Sequence, residues 1–198
     1  MGEKVTAYLY FLNGWQQIRD FNSQKSFGSQ LEIRPNERLL INWNTYIGDE
    51  RSEFSPDFRT RYFSDVYVIF TPSEKFQGSV CAYYGIQEQE RVLDGDLYTS
   101  DWFTVNLIGK YNFTEKLGLS GRLEYFEDLE SVQITPTTPI AGFSSYSATL
   151  GLNYQVSSNA LVRLESRSFF SGKDVYQSDE DQPTSSNQWV VGNITVWF

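Results

Sequence analysis

Phe103-Thr104-Val105-Asn106-Leu107-Ile108-Gly109-Lys110-Tyr111-Asn112-Phe113 is followed by Thr114-Glu115-Lys116 and then by Leu117-Gly118-Leu119-Ser120-Gly121-Arg122-Leu123-Glu124-Tyr125. In both flanking runs large apolar residues fall at every second position and mostly polar ones between them. That period of two marks a strand with one greasy and one wet face. The Thr-Glu-Lys linker is too short for anything but a turn, so the pair reads as an antiparallel hairpin. Tyr146-Ala148-Leu150-Leu152-Tyr154 alternates in the same way, and so does Val190, Ile194, Val196, Phe198 at the end of the chain. No stretch carries a convincing amphipathic helix pattern.

Turn formers recur around this hairpin in a second rhythm. Short turns at Pro35-Asn36-Glu37-Arg38, Pro72-Ser73-Glu74-Lys75, Thr114-Glu115-Lys116 and Val156-Ser157-Ser158-Asn159 lie about 40 residues apart, and each joins two strands. Longer polar loops at roughly 17–24, 48–57, 87–101, 127–142 and 170–187 alternate with them. Strand, long loop, strand, short turn, repeated over 198 residues, predicts ten strands. The first is expected over about 4–16 and the last over about 188–198. Ten-residue strands with short turns at one end and long loops at the other are the pattern of a transmembrane β-barrel. The expected fold is therefore all-β: one domain over 1–198, a closed, antiparallel, up-and-down transmembrane barrel with short periplasmic turns and long outer loops. Closure would also remove the unpaired edges of an open sheet.

The wet face decides which way the barrel is turned. It carries Glu32, Arg34, Arg59, Arg61, Asp65, Lys110, Arg122, Glu124, Arg163, Glu165 and Arg167 in mid-strand. These are read as a lumen charge ladder with four acids and seven bases, a mild positive excess. The greasy face carries Phe70, Phe76, Tyr84, Phe103, Tyr111, Phe113, Tyr125, Tyr146 and Tyr154 near strand ends, where membrane interfaces favour aromatic rings. In a soluble sandwich or a lipocalin-like ligand barrel the same rings would instead form the core. The chain is 17% aromatic, yet its mean hydropathy is −0.42. Rings outside and charges inside reconcile the two. Ten strands lie close to the width at which side chains fill the interior, so a constricted or occluded lumen is expected.

Charge and composition exclude other classes. A net charge of −9 argues against a nucleic-acid partner. The absence of histidine removes Ser-His-Asp and Cys-His nucleophile systems and HExxH metal sites. One cysteine, Cys81, permits no intrachain disulfide. It is expected to be a small inward filler, because no base is at hand to activate it. An enzyme would depend on carboxylates such as Glu124 and Glu165, but each has an arginine two residues away and is expected to be ion-paired. No enzyme activity and no cofactor are therefore expected. The five long loops hold 17 acids against four bases, or −13, which leaves +4 for the rest of the chain. These acids keep loops soluble and also make divalent cations candidate partners, best at Asp94-Gly95-Asp96 and Asp179-Glu180-Asp181.

The stretch Tyr111–Asp128, together with Asn13-Gly14-Trp15-Gln16, Leu39-Leu40-Ile41-Asn42 and Tyr46-Ile47-Gly48-Asp49-Glu50, resembles the OmpL-like β-barrel porin-2 family of bacterial outer-membrane porins. The resemblance runs over essentially the whole chain and corresponds to the C-terminal portion of a typical, longer member. A trimmed or designed form of that kind implies a narrower barrel. It implies an outer-membrane location, passive diffusion of small solutes or ions through a narrow charge-lined lumen, and no catalytic residues. The alternative is an occluded structural barrel that presents acidic loops to partners. The expected surroundings are the lipid bilayer and lipopolysaccharide. Ile194, Val196 and Phe198 resemble the C-terminal signal by which the barrel-assembly machinery recognises outer-membrane barrels.

Overall fold

The computed structural model describes residues 4–19, 22–91 and 95–198. Ten antiparallel strands form one meander. They are β1 (Val5–Leu12), β2 (Ser26–Asn36), β3 (Leu39–Asp49), β4 (Phe58–Phe70), β5 (Phe76–Glu90), β6 (Leu97–Asn112), β7 (Leu117–Asp128), β8 (Phe143–Ser157), β9 (Ala160–Phe170) and β12 (Ser186–Val196). A two-residue ribbon, β10 (Tyr176–Gln177) with β11 (Pro183–Thr184), decorates the last long loop. The sheet order is β1-β2-β3-β4-β5-β6-β7-β8-β9-β12, so every strand pairs with its neighbour in sequence. No helix occurs among the described residues. The four expected short turns all fall at junctions of paired strands, those at 35–38 and 156–159 overlapping the ends of β2 and β8.

The sheet is the wall of an antiparallel up-and-down barrel. Among the described residues its ladder runs from β1, paired with β2, to β12, paired with β9. Closure brings the first and last strands within one strand spacing through tilt and stagger. The two end strands run antiparallel to one another, as such pairing needs, because β1 climbs toward the long-loop end and β12 descends from it. Some strand boundaries shift from expectation. β1 ends at Leu12, not residue 16, since Gly14 (φ 145°) and Gln16 (φ 53°) turn the chain away from the sheet.

The expected loop at 87–101 is mostly strand. Gln87 pairs with Ser100 and Glu90 with Leu97, so β5 and β6 project as a long hairpin beyond the apolar band. Polar residues on both of its faces hid the alternation there.

Burial is inverted relative to a water-soluble protein. Among the described residues only Tyr46, Trp102 and Val175 are buried apolar side chains, whereas eleven polar or charged ones are buried, including Asn42, Gln87, Thr104 and Asp128. Leu107, Leu123 and Leu150 are each more than half exposed on the opposite face. In water this would be an apolar patch far beyond what a monomer tolerates. In hydrocarbon it is the stable arrangement.

The register places eight of the nine expected ring positions on the outer face, and Phe113, just past the end of β6, packs against Tyr111 at 5.2 Å between centroids. Tyr62 and Phe70, Phe76 and Tyr84, Phe103 and Tyr111, and Tyr146 and Tyr154 each stand eight residues apart on one strand. That spacing is ~27 Å along the strand. At a tilt of ~40° it becomes ~20 Å across the bilayer, close to the height of an outer-membrane apolar band.

Candidate functional site

The inner face is built by parity. Gly48 and Arg61 face one another across β3 and β4, Asp65 and Tyr83 across β4 and β5, Glu124 and Ser147 across β7 and β8, and Thr149 and Arg167 across β8 and β9. The same registers place Glu32, Lys110, Arg122, Arg163 and Glu165 inward, and Arg34, beside a register shift in β2, joins that face through its ion pair with Glu32. Arg59 is the exception. A bulge between Phe58 and Arg61 breaks the alternation. Its guanidinium turns to the other parity, where it pairs with Glu90.

The expected ladder is discontinuous. Its centre is a three-membered cluster in which Glu124 accepts hydrogen bonds from Nη2 of Arg122 and from Nη2 of Arg167, the latter at 2.8 Å. Ser147 Oγ lies 3.4 Å from both the Arg167 Nη2 and Glu124 Oε1. Near the short turns Arg34 Nε pairs with Glu32 at 2.7 Å. Lys110 and Glu165 make no ion pair among the described residues. Glu124 and Glu165 therefore do not share one environment, and the expected pairing of Glu165 is corrected.

Cations gather on one wall. Among the charges that do face inward, the strands β6 to β9 carry Lys110, Arg122, Arg163 and Arg167 against Glu124 and Glu165, whereas β2 to β4, with Arg59 turned away, carry two of each sign. A cavity of about 390 Å³ opens beside the central cluster and is lined by Arg122, Glu124, Arg167, Tyr83, Asn106 and the rings of Phe126, Phe143 and Phe169. A second, of about 690 Å³, opens at the short-turn end beside Lys75, Lys110 and Lys116, with Glu74 and Glu115.

The long-loop end holds a wedge that the sequence pattern did not reveal. Trp15, in the β1–β2 connection, tilts against Phe63 (4.6 Å between centroids), Tyr46 (5.1 Å) and Trp102 (6.4 Å). The Arg61 guanidinium sits 5.5 Å from the Trp15 ring and 5.2 Å from the Trp102 ring, and its Nε donates to Gln87 Oε1 at 2.8 Å. The backbone N–H of Trp15 donates to the Glu50 carboxylate, which also accepts the Tyr46 hydroxyl. Gly85 makes room for this cluster, because a Cβ there would stand 2.1 Å from the Trp102 ring. The available signal was a tryptophan beside a glycine in an otherwise polar connection.

Two further loops fold inward. The Asp128 carboxylate, fully buried, accepts the backbone N–H groups of Val132, Gln133 and Ile134 at 2.7–2.8 Å. In the last loop Val175 is buried, and Tyr176 donates its hydroxyl hydrogen to Ser145. Burial pushes the Tyr176 phenol above its ordinary pKa. Glu50 and Asp128 are thus structural anchors, and the expected crown of free loop acids is thinner than its count. Asp20 and Asp94 lie outside the described residues, and with Asp94 the first of the two cation candidates. Asp181 accepts from Gln177 at 3.2 Å, and no group of three metal-ligating side chains occurs among the described residues.

Ile194 and Val196 project from the outer face of β12, and Phe198 follows the strand end, fully exposed. Cys81 faces inward opposite Tyr67 and Asn106. No helix is long and apolar enough to cross a membrane, which has no bearing on crossing by strands.

Comparison with known proteins agrees with this geometry. The family model described as "Putative beta-barrel porin-2, OmpL-like" matches residues 1–198. Among solved structures, the NanC porin in a rhombohedral crystal form is similar with a TM-score of 0.55 and 11% identity, over 98% of this chain and 93% of that one. At that identity the likeness concerns the fold. No curated protein sequence matches.

Proposed function

The chain belongs to the OmpL-like β-barrel porin-2 family, and from that premise we propose that it is a bacterial outer-membrane channel for passive diffusion of small solutes or ions through a narrow, charge-lined lumen. The observation that carries the reading is the inverted burial, with polar side chains packed inside and leucines exposed outside. Such a wall needs its edges covered in a bilayer, so β1 and β12 must acquire partners there, and their antiparallel directions suit pairing. Lipid and lipopolysaccharide surround the leucine and aromatic band. Phe198, with Ile194 and Val196, serves as the insertion signal for the assembly machinery, and the remaining exposed loop acids are candidate sites for divalent cations. The protein acts without catalysis, cofactor or nucleic acid.

Trp15 favours a second reading, an occluded barrel whose loops serve recognition. A side chain wedged among Tyr46, Phe63 and Trp102 narrows the mouth where an open porin would leave it clear. Planar-bilayer recording tests both. Discrete conductance steps at high salt support the channel. Silence in the wild type with steps in Trp15→Ala supports loop occlusion, and silence in both sinks the channel.

A further inference from the structure

Arg122 and Arg167 share one carboxylate through their Nη2 atoms only. Neither Nη1 makes a hydrogen bond among the described residues, and neither is sealed from solvent, unlike the two buried Nε atoms. The lining of the adjoining 390 Å³ cavity carries two guanidiniums against one carboxylate. Glu165, one step toward the short turns, does not line it. A surplus positive charge with idle donors in a recess is a place for an anion.

The rest of the recess narrows the class. Phe169 lies 4.5 Å from the Arg167 guanidinium. Phe126 and Phe143 stand 6.0 Å apart, and Phe143 and Phe169 are both closed off by Tyr176, at 5.8 and 6.1 Å. Ile134, held in place by the Asp128 loop, adds another apolar surface. Chloride or acetate would satisfy the arginines and leave this aromatic wall wet. We propose that the recess binds small carboxylates with an apolar, ring-sized body, the carboxylate on Arg122 and Arg167 and the ring against Phe126, Phe143 and Phe169. Benzoate is the simplest such ion.

This names a solute class for the lumen and deepens the channel reading, but it is tested without any conductance. Sodium benzoate is titrated calorimetrically into detergent-solubilised protein at neutral pH, against empty micelles. Saturable binding at millimolar concentrations is expected, with benzyl alcohol, the neutral counterpart, failing to saturate. Arg122→Ala and Arg167→Ala should each weaken binding by about tenfold or more, the loss expected for one charge-assisted hydrogen bond. Glu124→Gln should tighten binding, because it removes the carboxylate that competes for both arginines. A merely structural ion cluster predicts no gain from that change. No saturable binding by folded wild-type protein, equal binding of benzyl alcohol, or an unchanged affinity in the arginine variants overturns the proposal. Conductance without benzoate binding would leave the channel standing and the site refuted.

Discussion

Single residues hold the interior together through space as much as through charge. Gly85 is the clearest case, since any side chain there must displace Trp102, which is 2% exposed. Gly85→Val should therefore expel the Trp102 ring and destabilise the long-loop end by about 3 kcal/mol, the scale of losing a buried aromatic contact. Blue-shifted tryptophan emission would move to the red at lower denaturant concentration. Unchanged emission and midpoint would show that the ring is not packed against that backbone. Gly48 has the same logic, because a Cβ there would stand 2.0 Å from Ser26 Oγ. The sequence marked the inward charges one by one, and parity was sufficient for all but Arg59. The bulge that turns Arg59 outward leaves no signature in composition or spacing, so only the strand register exposes it.

At the scale of elements, the loops do more than connect. The segment after β9 is docked by Tyr176, whose hydroxyl donates to Ser145 and whose ring meets Phe143 and Phe169. Burial raises the pKa of that phenol, so the docked state prefers the protonated form. Its contribution is full below the ordinary tyrosine value of about 10, and it is lost as pH rises through the higher docked value. Limited proteolysis of the 171–185 segment should accelerate at strongly alkaline pH in the wild type, and Tyr176→Phe should flatten that dependence. Equal pH dependence in the two proteins would remove Tyr176 from the docking. The last strand makes a different claim. Deleting Phe198 should leave the finished sheet intact, because Phe198 lies beyond β12 and is fully exposed, but should slow insertion by the assembly machinery. Insertion kinetics at the wild-type rate would leave the residue without that role. The β5–β6 hairpin shows why its loop was misjudged. Period-two reading depends on contrast between faces, and beyond the bilayer both faces meet water or polar neighbours, so the contrast vanishes while the backbone pairing continues.

For the whole molecule, the governing fact is that the apolar side faces out. The protein should be monodisperse in detergent and aggregate in plain buffer, as size-exclusion chromatography will report. A monodisperse species in buffer alone would refute the membrane reading. Strand number, direction and face assignment were legible in the sequence, because alternation and turn spacing are local and repeat along the chain. Eight outer rings and ten of the eleven inward charges followed from the same periodicity. Three things belonged to the tertiary structure alone. How ten strands curl toward closure depends on tilt and stagger summed over the sheet. A run of inward charges did not imply a ladder, since pairing depends on which rows come level across neighbouring strands, and only Arg122, Glu124 and Arg167 do so at the centre. Nor did a long polar loop imply an open mouth. Asp128 ties down its own loop through N–H groups four to six residues on, whereas Trp15 and Tyr176 fold their loops inward because strands distant in sequence supply partners.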